Sequence, residues 1–373
     1  HRLCGRPMVL HVLDALAELV TAAPGEPPRG TAAPAPGEPL GALQRVVVVV
    51  GHGGDRVTKA VQEQAPPGLA LEFVEQRLQR GTGDAVSVAL TELPDVFDRG
   101  DGGDTVVLPA DTPLLRPATL AHLVRSHRSA GAAATVLTAR LADPTGYGRV
   151  VRAKDGSVAR VVEEADAGLE ERRVDEVNTS IYCFRHELLA PALRRLSPAN
   201  AQGEYYLTDV IAVLHDAGHR VVSVLVDDPS EVVGVNDRAQ LAAAEAELRD
   251  RTNERWMRRG VTMIDPERTY VDTSVTLAPD VTLYPGTMLT GVTVVGPGAE
   301  VGPECRLHDT TVREGAAVVR TEARRAEIGA GAVVGPFAVL DAGARVAPGT
   351  VTGAFFRAGG VGDPAVAPTD HWL

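Results

Sequence analysis

The sequence predicts an α/β domain with a doubly wound sheet, followed by a short left-handed parallel β-helix. Short apolar runs alternate with helical patterns up to about residue 237, as in repeated βα units. From Leu277 onward, apolar residues recur at every sixth position, which is typical of a parallel β-helix. A charged, alanine-rich stretch lies between the two patterns and indicates a helical arm between domains.

Length, charge and cysteine content limit the class of molecule. The 373 residues suffice for two or three domains that each bury a core. With 37 Lys and Arg against 49 Asp and Glu, the net charge of -12 argues against a nucleic-acid partner. Every apolar run is shorter than the roughly 18 residues of a membrane span. Three widely spaced cysteines without a CxxC pair predict reduced thiols and a cytoplasmic protein.

The first elements are a helix, a loop and a strand. Apolar residues at helical spacing predict a helix over residues 7–20 with one buried face. Residues 21–42 are rich in proline and have little to bury, so we expect a disordered insert. Residues 46–50 are five valines, which indicates a strand covered on both faces, and a glycine-rich turn then opens a helix to about residue 64.

The next two βα units carry polar residues at their turns. A strand over residues 69–75 leads into Gln76 and then into Gly81 and Thr82, which open a helix. A strand over residues 106–110 ends in Asp111, and a helix follows at 116–129. This pattern places Asp111 at the carboxyl end of a strand, where open α/β sheets bind ligands. The alternative is that Asp111 only caps the following helix.

The rest of the α/β domain contains further strands and helices, with polar motifs at their junctions. Gly146, Tyr147 and Gly148 form a predicted turn, and Asn236 precedes the charged helix over residues 238–259. The other predicted elements are strands at 134–141, 158–163, 177–184 and 221–226, a helix at 187–196, and a polar run at 200–209 that enters another helix.

The six-residue period defines the last domain. It includes Leu277, Leu283, Leu289, Val295, Val301 and Leu307. The sequence predicts a break at residues 320–327, after which the period resumes at Ile328. Each six-residue unit would give one face of a coil, so residues 277–350 hold about four coils. The predicted domains are an α/β domain at 1–237, an arm helix at 238–260, a β-helix at 261–352 and an irregular tail at 353–373.

Taken together, these motifs resemble one family. This is the GlmU family, in which an N-acetylglucosamine-1-phosphate uridylyltransferase is joined to a glucosamine-1-phosphate acetyltransferase. The resemblance runs from Leu3 to about Leu340, without the insert, and includes the order of the domains. It implies a Rossmann-like nucleotidyltransferase (GT-A-like) domain ahead of the β-helix. The motifs that carry it are Gln-x4-Gly-Thr-Gly, the strand-end Asp, Asp-Pro-x-Gly-Tyr-Gly-Arg, Val-Glu, Asn-Thr, Asn-x-Gln-Gly-Glu-Tyr-Tyr-Leu-Thr-Asp and Gly-Val-Asn.

The resemblance also implies the reaction and its residues. Uridylyl transfer from UTP to N-acetylglucosamine-1-phosphate would give UDP-N-acetylglucosamine, a cell-envelope precursor, and pyrophosphate. Positioning and Mg²⁺ would do most of the chemistry, so no side chain is expected to react covalently. By residue type alone, Glu163 and Asn178 would be a surface pair at strand ends. The implied contacts are Gln76, Gly81 and Thr82 for uracil, Asp111 and Asn236 for Mg²⁺, and Gly148, Glu163 and Asn178 for the sugar.

The sequence also departs from the family. It has no counterpart of the family's glycine-rich phosphate loop, Pro-Lys pair or central strand, so we expect little uridylyltransferase activity and a native product that extends upstream. Asp341 replaces an Arg, and Gly359-Gly360 replaces a Lys pair of the acetyltransferase domain, while His371 is expected to be a tail residue. Acetyl transfer should therefore be absent. Smaller departures are Asp84 for a His, Pro109-Ala110 for residues that usually end in Gly, and Ser180 for a Gly.

Two other functions remain open at this stage. One is a sugar-1-phosphate nucleotidyltransferase with another sugar or base. The other is a non-catalytic paralogue that binds UDP-sugar or assembles with intact subunits. Parallel β-helices commonly form trimers through their flat faces, so a homotrimer is expected if four coils offer enough surface.

Overall fold

A computed structural model describes residues 2–21, 43–51, 53–93 and 103–359. By its contacts the chain forms two compact units. Met8–Asn236 is one unit, and residues 2–7 join the chain from Asp237 onward in the other. Apart from Thr21, which ends the first helix, the predicted insert lies outside the described residues. The same is true of Gly360 and His371.

The chain begins with a short antiparallel hairpin. Its strands are β1 (Arg2–Leu3) and β2 (Arg6–Pro7). Helix α1 therefore begins at Met8 rather than at Pro7, because Pro7 pairs with Arg2. The elements that follow in the α/β unit are α1 (Met8–Thr21), β3 (Val46–Val50), α2 (Gly54–Gln64), β4 (Leu71–Glu75), α3 (Thr82–Leu90), β5 (Asp104–Val107), α4 (Pro117–Ala130), β6 (Ala134–Arg140), β7 (Arg149–Arg152), β8 (Val158–Val162), β9 (Glu176–Arg185), α5 (His186–Leu193), α6 (Asp209–Asp216) and β10 (Val221–Leu225).

These elements confirm the predicted α/β class, and their strands form two sheets. Strands β3 and β4 pair in parallel as a two-stranded sheet. The other sheet has the order β10-β6-β9-β7-β8, with β5 antiparallel to β9. Among the described residues β3 pairs with β4 alone and β5 with β9 alone.

The predicted strand at residues 106–110 was wrong by several residues. Strand β5 ends at Val107, because Pro109 has no N–H to donate to a neighbouring strand. Asp111 therefore lies in the turn beyond the strand, not at its last position. The nearby backbone still fixes this turn, since the N–H of Val235 donates to the carbonyl oxygen of Asp111 at 2.9 Å.

The first residue of β5 makes the stability of the α/β unit sensitive to acid. Asp104 contacts His127 Nε2 at 3.4 Å and accepts a hydrogen bond from Arg128 Nε at 2.6 Å. Burial raises the pKa of Asp104, but these contacts outweigh it and hold the pKa below its usual 3.8. A carboxylate of this kind stabilises the fold above its unfolded pKa, and this contribution disappears as the pH falls through the folded value.

We therefore expect Asp104→Asn to destabilise the protein at pH 7 by about 1–2 kcal/mol. The difference from wild type should shrink once the pH falls below about 4. Urea unfolding of wild type and of Asp104→Asn, at pH 7 and near pH 3, measures this difference in the free energy of unfolding. An equal difference at both pH values would contradict this account.

The second unit is a helix followed by a solenoid of parallel strands. Its elements are α7 (Arg238–Met257), β11 (Thr262–Met263), β12 (Tyr270–Val271), β13 (Thr276–Leu277), β14 (Thr282–Leu283), β15 (Met288–Thr290), β16 (Val294–Val295), β17 (Glu300–Val301), β18 (Arg306–His308), β19 (Thr311–Val312), β20 (Ala317–Val318), β21 (Glu322–Arg324), β22 (Glu327–Ile328), β23 (Val333–Val334), β24 (Val339–Leu340), β25 (Arg345–Val346) and β26 (Arg357–Ala358).

The solenoid confirms the predicted β-helix and is longer than expected. Its strands form three parallel sheets of five, six and five strands, so it has about five coils rather than four. The repeating residues from Leu277 to Leu307 are at most 4% exposed and form the core. Periodicity missed the first coil because its inward residues, Met263 and Val271, are eight residues apart. The expected break at residues 320–327 is not a break, since Ala323 takes the inward position after a five-residue step.

Helix α7 is more than a charged arm, because its last turns cover the first coil. Trp256 is 6% exposed and belongs to the core of the solenoid. Asn253 Nδ2 donates to the carbonyl oxygens of Pro266 and Thr269, each at 2.9 Å. Among the helices of the described residues, none is both long and apolar enough to cross a membrane.

Candidate functional site

Gln76 lies directly after β4, at the start of the turn that leads into α3. Its side-chain nitrogen donates to the carbonyl oxygen of Gly81 at 3.2 Å and to Asp84 Oδ2 at 2.9 Å. Gly81 has φ +110°, and a Cβ there would lie 2.6 Å from the carbonyl oxygen of Tyr205. A side chain at position 81 would therefore be both strained and obstructed. This explains why the turn needs glycine.

The turn at residues 80–83 is bonded to a segment far along the chain. Backbone hydrogen bonds join Tyr205 to Arg80 and Gly83, each at 2.8 Å. The hydroxyl of Thr82 accepts a hydrogen bond from the N–H of Leu207 at 3.0 Å. These contacts bring the polar run at 200–209 to the same part of the unit as Gln76.

Gly148, Glu163 and Asn178 lie together, although they come from three different strands or their ends. A Cβ on Gly148 would lie 3.3 Å from Glu163 Oε2 and 3.6 Å from the Cβ of Asn178. The N–H of Asn178 donates to the carbonyl oxygen of Gly148 at 2.8 Å. Asn178 is only 4% exposed, so the reading by residue type as part of a surface pair was wrong. Antiparallel pairing of β7 with both β8 and β9 causes this convergence.

Glu163 has an environment that favours its protonated form. Burial raises the pKa of this carboxyl, and the charges of Asp209 and Asp166 raise it further. A hydrogen bond from the hydroxyl of Thr208 to Glu163 Oε1, at 2.9 Å, acts in the opposite direction. The side chain is therefore held in place while remaining a good partner for a hydroxyl or an N–H group.

Asn178 also shapes the chain beyond it. Its Oδ1 accepts a hydrogen bond from the N–H of Ser180 at 3.1 Å, and Ser180 has φ +60°. This left-handed conformation favours glycine, which is the residue that the family pattern has here. The structure thus gives a physical reason for that pattern.

We expect Ser180→Gly to stabilise the protein by about 0.5–1 kcal/mol, because it removes this strain. The free energy of unfolding from urea denaturation measures it. The matched change Ser87→Gly, inside helix α3, should destabilise by a similar amount. Equal effects of the two changes would contradict the role of the φ angle.

Asp111 and Asn236 both have side-chain atoms close to Gly234. A Cβ on Gly234 would lie 3.6 Å from Asp111 Oδ2 and 3.7 Å from Asn236 Nδ2. Burial raises the pKa of Asp111, and a backbone hydrogen bond offsets part of this rise. Burial and the charge of Asp111 likewise raise the pKa of the nearby Tyr147 hydroxyl, while a backbone hydrogen bond from Gly234 lowers it.

These two residues suit a hard divalent cation. A bound cation would stabilise this buried carboxylate, and the Asn236 amide has an oxygen that could serve as a second ligand. Within the described part of the chain, no cluster of three or more His, Cys, Asp or Glu residues could hold a metal. Water and ligand phosphates would have to complete the coordination shell, as is usual for Mg²⁺.

Sequence reasoning missed several residues that the structure adds to this region. Tyr147 was assigned only to a turn, yet its hydroxyl has a backbone hydrogen bond with Gly234, and the charge of Asp111 raises its pKa. Thr208 holds Glu163, and Arg149 is fully buried beside Tyr147. Their motifs were visible in the sequence, but nothing in spacing alone distinguishes a turn tyrosine from one that contacts a carboxylate.

Comparisons with known proteins identify the family of this chain. The model of the nucleotidyl transferase family matches residues 40–255. The bifunctional protein GlmU of Streptomyces avermitilis is 44% identical over 347 residues, which cover 93% of this chain and 66% of that protein. The bifunctional protein GlmU of Halalkalibacterium halodurans is 41% identical, with 90% and 67% covered. That of Thermobifida fusca is 46% identical, with 88% and 63% covered. The chain thus spans about two thirds of the length of these relatives.

Proposed function

The chain belongs to the GlmU family, and from this premise we propose that its α/β unit takes part in uridylyl transfer to N-acetylglucosamine-1-phosphate. In this reaction a phosphate oxygen of the sugar phosphate attacks the α-phosphorus of UTP. A new P–O bond forms, pyrophosphate leaves, and UDP-N-acetylglucosamine is the product. The observation that carries the proposal is the convergence of Gly148, Glu163 and Asn178 in the same unit as the Asp111–Asn236 pair.

The proposed roles follow from the chemistry of the side chains. Gln76, Gly81 and Thr82 would contact the uracil ring, since an amide and backbone groups match its planar donor and acceptor edge. Glu163 and Asn178 would bind hydroxyl and acetamido groups, and Gly148 leaves room for the sugar beside its backbone. Asp111 and Asn236 would hold Mg²⁺, which when bound neutralises phosphate charge. The protein would otherwise act by orienting the two substrates.

We further propose that this chain has little turnover and no acetyl transfer on its own. The sequence carries no glycine-rich phosphate loop, and the strands that the structure describes between residues 43 and 236 fall into two separate sheets. The three buried, free cysteines are compatible with a cytoplasmic location.

Exposed Val294 and Val333 on the solenoid leave apolar surface that a homotrimer would cover. Analytical ultracentrifugation tests that assembly.

Two measurements test the function. Pyrophosphate release from UTP and N-acetylglucosamine-1-phosphate should be close to background, and calorimetry should detect Mg²⁺-dependent binding of UDP-N-acetylglucosamine. Binding of a different sugar nucleotide in a panel, with none of this one, would overturn the assigned substrate. Rapid pyrophosphate release would overturn the expected low activity. The absence of any nucleotide-sugar binding would overturn the proposed function itself.

A further inference from the structure

Asp84 is the residue on which the Gln76 amide depends. Asp84 is 9% exposed and lies in the first turn of α3. One of its oxygens accepts from Gln76 Nε2 at 2.9 Å, and the other accepts from an Arg80 guanidinium nitrogen at 2.6 Å. Arg80 in turn lies over the ring of Tyr205, with 5.6 Å between the guanidinium carbon and the ring centre. The carboxylate is thus held from one side while it holds the amide on the other.

The chemistry of this contact fixes which way the amide points. Burial raises the pKa of Asp84, but hydrogen bonds from Gln76 and Arg80 and the charge of Arg80 outweigh it, so the pKa lies below its usual value. An ionised carboxylate accepts hydrogen bonds and donates none. The carbonyl oxygen of Gly81, the other partner of Gln76 Nε2, is also only an acceptor. A flipped amide would place its oxygen against both acceptors, which is strongly unfavourable.

We propose that Asp84 determines base specificity by fixing the Gln76 amide with its oxygen as the atom left to meet a base. This inference rests on the proposed function, because it assumes that Gln76 contacts the nucleobase. An amide oxygen pairs with a ring N–H, as on N3 of uracil or thymine. Cytosine has a lone pair at N3 instead of an N–H group, so its N3 and the Gln76 amide oxygen would be two acceptors facing each other. The fixed amide therefore selects a uridine or thymidine nucleotide against a cytidine nucleotide.

The contact between Gln76 and Asp84 can be tested by changing Asp84 alone. Asparagine at position 84 keeps the shape of the side chain but can present only one acceptor oxygen. Gln76 and Arg80 bond to different oxygens of Asp84, so in the variant one of these two donors would face the asparagine NH2 group instead of an acceptor. With Asp84→Asn the Gln76 amide can turn, and its nitrogen can then donate to N3 of cytosine. UTP should lose some affinity while CTP gains some.

Ligand-observed NMR titration of the full chain with UTP and with CTP, in the presence of Mg²⁺, measures this discrimination even when binding is weak. Wild type should bind UTP at least about tenfold more tightly than CTP. Asp84→Asn should narrow this preference to roughly threefold or less, because the hydrogen bond from Gln76 to the Asp84 carboxylate no longer fixes the orientation of the amide. The matched control Asp216→Asn, at an exposed position near the end of α6, should keep the wild-type preference.

A second measurement on the wild-type protein does not depend on whether the variant folds. UTP methylated at N3 lacks the ring N–H and should bind at least about tenfold more weakly than UTP. An unchanged UTP preference in Asp84→Asn, or equal binding of UTP and its N3-methyl derivative, would overturn the inference and leave the proposed function standing. Failure of the wild type to bind UTP or UDP-N-acetylglucosamine would overturn both.

Discussion

Asp111→Asn is expected to abolish the Mg²⁺ dependence of UDP-N-acetylglucosamine binding. The change removes the one charged ligand of the proposed pair, and removing even an outer-shell partner of a bound metal costs roughly 10- to 100-fold in affinity. Calorimetry with Mg²⁺ and then with EDTA measures the effect. Wild type should lose affinity in EDTA, whereas the variant should bind equally weakly in both.

The stability of the same variant separates a role in binding from a role in folding. Because burial raises the pKa of Asp111, its charge costs stability at neutral pH when no cation is bound. The metal-free variant should therefore be at least as stable as wild type. Asp250→Asn, an exposed change on α7, serves as the control and should alter neither binding nor stability. A destabilised variant that still binds in a Mg²⁺-dependent way would contradict the assignment.

Arg149→Ala is expected to destabilise the α/β unit by about 3 kcal/mol. Arg149 is 2% exposed, forms an ion pair with Glu164 at 2.7 Å and donates to the carbonyl oxygen of Tyr147. Truncation leaves a cavity, removes the ion-pair partner of Glu164 and leaves the Tyr147 carbonyl without its buried donor. The free energy of unfolding from urea denaturation measures the loss.

Two companion variants test whether the charge or the volume of Arg149 matters. Glu164→Gln keeps a hydrogen-bond acceptor, and the Glu164 side chain is 31% exposed. This variant should therefore lower the free energy of unfolding by only about 1 kcal/mol. Arg149→Met keeps most of the apolar stem, so its destabilisation should lie between those of Arg149→Ala and Glu164→Gln. If all three variants lie within 1 kcal/mol of wild type, then the buried ion pair does not hold the turn at Tyr147.

The features that the sequence predicted well are those that repeat locally. The valines of β3 and the apolar positions from Leu277 to Leu307 are where periodicity placed them. Prediction failed where the local pattern was interrupted for a structural reason. In the first coil, the inward residues Met263 and Val271 are eight residues apart. The inward residues before and after Ala323 are each five residues from it instead of six, and strand β5 ends before Pro109.

The candidate site could be found from the sequence only through motifs matched to a family. Residue type alone placed Asn178 on the surface, whereas the structure buries it against Gly148. Ser180 looked like a minor departure, and its positive φ angle shows that it is a strained one. These properties depend on how β7 and β9 pair, which no local window of sequence contains.

The sequence by itself determined the class of each unit, the inward positions of the β-helix from Leu277 to Leu307 and the residue types available to a site. Each of these follows from side-chain periodicity or from the chemistry of single residues. Only the tertiary structure decided which side chains meet, because the decisive contacts join residues far apart in the chain. Thr82 bonds to a backbone N–H 125 residues away, and Glu163 to a hydroxyl 45 residues away. Such contacts depend on strand pairing and packing across the whole unit, so the proximity of Asp111 and Asn236 to Gly234 could only be seen once the chain was folded.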